Sequence, residues 1–210
     1  MPLDARFREV LKSEEELREL LGEPSELAIR KQLSALDAYS RRVIDRSPFV
    51  LVATANRAGT CDVSPRGDAP GFVMVLDDRT LIIPERPGNR RADSLKNLLD
   101  NPRIGLLFLI PGMEETLRVN GRAAIVRDEE LLTRATVRGK RPRLAIAVHV
   151  EECFTHCAKA FKRSGLWDTS TWGDSADLQG ELMAMRAKVT GKSIEEVQRE
   201  VEESYRTRLY

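Results

Sequence analysis

Phe49-Val50-Leu51-Val52-Ala53-Thr54-Ala55-Asn56-Arg57-Ala58-Gly59-Thr60 is the stretch that decides the fold. Its first half is a continuous apolar run, too short for a typical helix and rich in strand formers. Asn56 to Gly59 then turns the chain back on itself. Downstream, Thr60 to Val63 and Gly71 to Leu76 read as strands separated by the loop Ser64-Pro65-Arg66-Gly67-Asp68-Ala69-Pro70. Asp77-Asp78 makes a hairpin into Thr80-Leu81-Ile82-Ile83. Arg103 to Ile110 is an apolar strand, Pro111-Gly112 a turn, Glu115 to Val126 a long strand interrupted at Gly121, and Leu144 to Val150 another strand. Only one good helix, Ala92 to Leu99, lies among them. A doubly wound parallel sheet needs a helix between most strands, so the pattern predicts an antiparallel barrel or sandwich.

Helical patterns flank this region. Ser13 and Glu16 have capping-box spacing, and Gly22 with Pro24 stops the helix that they open. A second helix from about Ser25 to Arg46 places Ile29, Leu33, Leu36 and Val43 near one face, and Ser47-Pro48 breaks it. Helix returns over Glu152 to Phe161 and Asp177 to Arg208. The organisation is therefore one domain over residues 1–210: helices over 1–46, barrel over 47–150, helices over 151–210.

The chain has 210 residues, 41% hydrophobic and 32% charged, against roughly 25% charge in an average domain. That mix excludes a disordered chain, a collagen-like fibre and a membrane protein. The 34 basic and 33 acidic side chains leave +1, so a dedicated nucleic-acid binder is disfavoured. Arg30, Lys31, Arg41, Arg42 and Arg46 are interleaved with acids and read as an exposed helix face. No apolar leader opens the chain, and the three cysteines are an odd number, so the reading is a cytoplasmic protein with reduced thiols.

Two nucleotide signals fail. No Gly-x-Gly-x-x-Gly occurs, and Gly191-Lys192-Ser193 lacks the earlier glycine of a phosphate loop, that position being Arg186. Gly191 reads instead as a helix end, with Ser193 and Glu196 capping the next helix. Cys153, His156 and Cys157 make at most a partial metal set. His149 sits on a predicted strand and Cys61 is remote, so no metal site is expected. With two histidines in the chain, hydrolytic chemistry is poorly supplied. Arg66 between two strands, and Gly88-Asn89-Arg90-Arg91 leading into a helix that carries Ser94 and Asn97, are instead suited to a phosphate.

Those same segments carry a resemblance. Ser64-Pro65-Arg66-Gly67-Asp68, Pro70-Gly71-Phe72-Val73 and Ile83-Pro84-Glu85-Arg86-Pro87-Gly88-Asn89-Arg90-Arg91 resemble one branch of the pyridoxamine 5′-phosphate oxidase-like flavoproteins. Asn97 to Phe108, Glu115 to Ala123, and Cys157-Ala158-Lys159-Ala160 with Arg163 to Asp168 follow in the same order, so coverage runs from about 47 to 168. The resemblance implies an α+β, mainly β fold: an antiparallel split β-barrel with FMN at a homodimer interface. It implies that Arg66, Arg90, Arg91 and Ser94 meet the FMN phosphate, and that Val63, Ser64, Pro65, Arg66, Ile83 and Pro84 border the flavin ring. Phe161, Lys162 or Trp167 would act as lids. The lysines of authentic pyridoxamine phosphate oxidases are replaced here by arginines, and their C-terminal arginine motif is not recognisable in Glu181 to Tyr210. The vitamin B6 substrate is accordingly not carried over. The expected function is FMN-dependent oxidoreduction of a small-molecule substrate or electron acceptor, with no nucleic acid and no membrane as partner. The alternative is a flavin-binding module without turnover, and a deazaflavin in place of FMN is left open.

Overall fold

The structure is a computed structural model and describes residues 6–210. Residues 1–5, which contributed to the reading of a chain without a leader, lie outside the described residues. The chain separates into two compact units, residues 1–32 and residues 33–210.

The first unit holds α1 (Glu14–Leu21) and α2 (Glu26–Arg30). Ser13 caps α1 by accepting from the Glu16 amide at 3.2 Å, and Gly22 ends it with φ of 72°. The Glu16 carboxylate reaches back to the Lys12 amide rather than to that of Ser13, so the expected box is offset by one residue.

In the second unit α3 (Ala38–Arg46) starts afresh, capped by the Asp37 carboxylate on the Ser40 amide at 2.7 Å. The single helix expected from Ser25 to Arg46 is thus two helices. Leu33 lies between them in extended backbone, exchanging both main-chain bonds with Cys153 as a β-bridge.

The strands are β1 (Phe49–Ala55), β2 (Cys61–Gly67), β3 (Met74–Val75), β4 (Thr80–Pro84), β5 (Arg103–Leu109), β6 (Thr116–Val126) and β7 (Ala145–His156). They form one antiparallel sheet in the order β2-β1-β5-β6-β7-β4-β3. The intervening helices are α4 (Asp93–Asp100) and α5 (Glu129–Arg134); α6 (Lys159–Ser164), α7 (Ala176–Thr190) and α8 (Ile194–Arg208) follow β7. The fold is α+β, an antiparallel split barrel. Among the described residues, no helix is long and apolar enough to cross a membrane.

Alternation builds the core. Val50, Val52, Ile104, Leu106, Phe108, Leu117, Val119, Ile146, Val148 and Val150 are buried together, with Ile44 of α3 and Leu98 of α4 packed into the same cluster. β4 breaks the alternation because both its faces are covered. Leu81 and Ile83 join the main core, while Ile82 packs with Leu132 of α5 and Ala145 of β7. This accounts for an unbroken apolar run in a strand near the sheet edge.

Three strand limits differ from the sequence reading. Ser64, Pro65 and Arg66 are not loop but the second half of β2, paired with Val52, Leu51 and Val50. β2 pairs only with β1, and a proline is tolerated on such an edge because no neighbour needs its missing N–H. The strand expected over Gly71 to Leu76 shrinks to Met74–Val75. β7 continues to His156, so the helices over 151–210 begin only at Lys159, and the first half of the helix expected over Glu152 to Phe161 is strand.

The cause of the last difference is a bulge. Gly121 pairs with Val150 and Asn120 with Glu152, which leaves Glu151 as the extra residue. Val150 and Cys153 are both buried on either side of it, so strict alternation fails where the strand is still intact. Gly121 sits against this bulge, and a Cβ there would lie 1.9 Å from the His149 carbonyl oxygen. Gly121→Ala should therefore destabilise the protein by about 3 kcal/mol or more, read by urea unfolding. Gly180→Ala, in the open on α7 with nothing within 4 Å, should instead stabilise by about 0.4–1 kcal/mol. A neutral Gly121→Ala would contradict the close approach.

Candidate functional site

β2 is one edge of the strand order and β4 lies next to the other, yet charged side chains join them. Arg66 of β2 donates from Nε to Glu85 Oε2 at 2.9 Å, just beyond β4, and from Nη1 to Ser64 Oγ at 2.7 Å and the Pro65 carbonyl at 2.9 Å. Asp68, just beyond β2, accepts from Arg86 Nε at 2.7 Å and from the Tyr210 hydroxyl at 2.9 Å. Its side chain is 1% exposed and that of Arg86 14%. Arg86 also donates to the Ala135 carbonyl at 2.9 Å, and the Tyr210 ring faces the guanidinium groups of Arg86 and Arg138 at 5.7 and 5.3 Å. The open sheet is closed at this seam.

The Asp68 carboxylate holds the Tyr210 phenol above its ordinary range by accepting its proton in a hydrogen bond. A raised pKa means that the bond's contribution is present at neutral pH, below the unfolded value near 10, and is lost as pH climbs through the raised folded value. Tyr210 is thus protonated and donating under ordinary conditions.

A helix start meets β2 at Asp62, four residues before Arg66. Arg90 and Ala92 have φ of 63° and 58°, and the residue at the N-cap of α4, Ala92, offers no side-chain acceptor to the first amides of the helix. Backbone of this kind presents N–H groups in a concavity suited to an anion. Arg90 and Arg91 are exposed on the loop. Arg91 pairs with Asp93 at 2.8 Å and holds that carboxyl below the usual carboxylate range. Two bonds pin the helix to the sheet: Ser94 Oγ donates to Asp62 Oδ2 of β2 at 2.6 Å, and Asn97 Nδ2 to Thr54 Oγ1 of β1 at 3.1 Å.

The structure brings Ser64, Pro65 and Arg66 to Glu85, at the Pro84 end of β4 where Ile83 and Pro84 are buried. It also brings Ser94, and with it the start of α4, to β2. Val63 on the same strand is 63% exposed. Arg90 and Arg91 make no hydrogen bond or ion pair with Arg66, Ser64 or Glu85; they belong to the loop that leads into α4. Trp167 has different neighbours. Its Nε1 donates to the Met113 carbonyl at 2.9 Å and its ring stacks on Phe161 at 5.7 Å, while Lys162 pairs with Glu114. The three lid candidates thus tie the α6 segment to the turn between β5 and β6. Sequence reasoning missed Asp62, Asp68, Glu85, Arg86 and Tyr210. The middle three lie in the motif segments but read there as loop charges, and nothing marks Tyr210 as their partner.

The chain matches the family model of pyridoxamine 5′-phosphate oxidase over residues 36–157, which spans every strand and helix of this site. It belongs to that family. Among solved structures it is similar to HupZ of Group A Streptococcus, at 22% identity over 57% of this chain and 93% of that one, with a TM-score of 0.47. It is also similar to an FMN-binding protein of Syntrophomonas wolfei, at 15% identity over 68% of this chain and 96% of that one (TM-score 0.43). A third is the heme storage protein HutZ of Vibrio cholerae, at 15% identity over 57% and 93% (TM-score 0.40). No curated protein matches the chain.

Two outcomes follow from the geometry. Arg86→Met leaves the Asp68 carboxylate buried without its cation and should cost about 3–5 kcal/mol by urea unfolding. Adding Asp68→Asn should recover part of that loss, and additive losses would contradict a direct pair. Trp167→Phe keeps the stack and removes one hydrogen bond, so it should cost about 1 kcal/mol.

Proposed function

We propose that this protein is an FMN-dependent oxidoreductase acting on a small molecule or electron acceptor, with the flavin site built on the β2–β4 seam and the start of α4. The observation that carries the reading is that uncapped helix start, framed by the left-handed Arg90 and Ala92 and by two guanidinium groups. A phosphate fits such a place, because exposed N–H groups and guanidinium forks are all donors. Family membership over residues 36–157 supports a flavin as the group that the phosphate belongs to.

In this reading Arg90 and Arg91 bind the phosphate, and Ser94 positions the helix start through Asp62. Arg66, oriented by Glu85 and Ser64, adds positive charge beside the phosphate end. The free edge of β2 from Val63 to Arg66, with Ile83 and Pro84 at the end of β4, borders the ring and orients it with backbone groups. Bound FMN supplies hydride and single-electron transfer, so the protein itself need contribute little acid–base chemistry.

A second copy of the chain completes the proposal. The outward face of β1 and β5 carries Phe49, Leu51, Leu107 and Leu109, none fully buried, with Val63 exposed on the adjoining β2. A contiguous apolar face of this kind marks an interface.

Charge-assisted contacts contribute about 1.5–3 kcal/mol each, so Arg90→Ala with Arg91→Ala should weaken FMN at least tenfold by fluorescence titration and leave the thermal melt unchanged. Unaltered affinity would reject the assignment of the phosphate. Turnover is read separately: anaerobic NADPH or NADH should bleach the bound flavin, and an added acceptor should restore its colour. A flavin that no reductant bleaches would make the protein a carrier. Light scattering should give the mass of two chains, and Leu107→Asp should give one.

A further inference from the structure

Outside the flavin site, three arginines meet at the end of the barrel where β6 leaves and β7 enters. Val126 and Ala145 are the last paired residues of that ladder. Arg127 is one residue beyond it on one side, and Arg141 and Arg143 precede it on the other. Together they line a cleft of about 480 Å³. Arg141 is held by Glu129, in the first turn of α5, at 2.8 Å. Arg127 and Arg143 make no side-chain hydrogen bond or ion pair with the described residues. Three cations therefore face one carboxylate. The remaining lining is apolar: Leu132 and Pro142 are buried, and Leu144 is half-buried.

We infer that this cleft binds a phosphorylated organic molecule of about nucleotide size. Its volume falls in the range of small-molecule sites, roughly 300–1,000 Å³, and is far larger than one inorganic anion requires. Unpaired guanidinium groups on separate chain segments select an oxyanion, for which phosphate geometry is well matched to the planar fork. Half-buried Leu144 and the aliphatic stems of the arginines offer a ring or other apolar body a surface between them. The arginines are exposed, so attraction is long-range and screened by salt. This inference does not rest on the flavin reading, because none of these side chains belongs to the seam or to the start of α4.

ADP, adenosine and inorganic pyrophosphate, titrated calorimetrically into the full chain saturated with FMN, test it. If the chain takes up no FMN, the same titration is run without it. ADP should bind with one site per chain. Adenosine should bind at least tenfold more weakly, and pyrophosphate should compete with ADP. Raising the salt concentration should weaken ADP at least fivefold. Arg127→Ser with Arg143→Ser should weaken ADP at least tenfold while the melt and the flavin affinity stay as they were. No ADP binding, equal binding of adenosine, or undiminished ADP binding in that variant would each overturn the site. ADP binding that salt leaves unchanged in the unaltered protein would also overturn it, whether or not the double variant folds.

Discussion

Closure of the sheet at the Asp68–Arg86 pair is the constraint on which the rest of the structure depends. A seven-stranded antiparallel sheet has two edges, and here the residues beyond β2, at one edge, meet those beyond β4, the strand next to the other. Asp68 is almost wholly shielded from water, so its charge depends on the Arg86 cation, with the Tyr210 hydroxyl and the Ala69 amide as further donors. Arg86 in turn reaches the Ala135 carbonyl, which joins the segment after α5 to the same point. The second pair, Arg66–Glu85, lies two residues earlier on one side and one residue earlier on the other. Together the two pairs fix the spacing between the edge of β2 and the end of β4, the same spacing that a planar ring would occupy in the proposed site.

The division of labour among charges follows from burial. Asp68, Arg86 and Arg66 are shielded and engaged with protein partners, which suits them to setting geometry. Arg90 and Arg91 are exposed on a loop with left-handed backbone, and Arg91 is held only by Asp93 at the surface. A surface pair of that kind is weak, so giving it up for a phosphate costs little. Ser94 and Asn97 carry no charge and yet determine where those arginines stand, because their bonds to Asp62 and Thr54 anchor α4 on β2 and β1.

Much of the barrel was legible because its physics is local. The Asn56–Gly59 turn closes through the Thr60 amide on Asn56 Oδ1 and the Gly59 amide on the Asn56 carbonyl, and the apolar runs read as strands are β1 and β5. The long strand through Gly121 was also visible, but it is not interrupted there: β6 is continuous, and the glycine marks a close approach to the bulge on β7. What was not legible depends on partners far away in sequence. Glu151 is extruded opposite Gly121, which ends the alternation of β7 early to the eye, and the paired acids Glu151-Glu152 then resemble a helix start. Pro65 reads as a breaker unless β2 is known to be an edge. The Leu33–Cys153 bridge, 120 residues apart, is what interrupts the helical pattern after α2. At the site, Arg66, Arg90, Arg91 and Ser94 were visible as phosphate-binding types before a helix. Their organisers were not, for Asp68 finds Arg86 and Tyr210 only once the sheet has curled.

In the proposed function the start of α4 and its arginines are a phosphate cradle for a flavin. Comparing FMN with riboflavin, which has the same ring and no phosphate, tests it most directly. At about 1.5–3 kcal/mol for each charge-assisted contact, loss of two such contacts predicts that riboflavin binds at least a hundredfold more weakly than FMN in a fluorescence titration. Equal affinity for the two flavins, or no binding of either, would contradict the account.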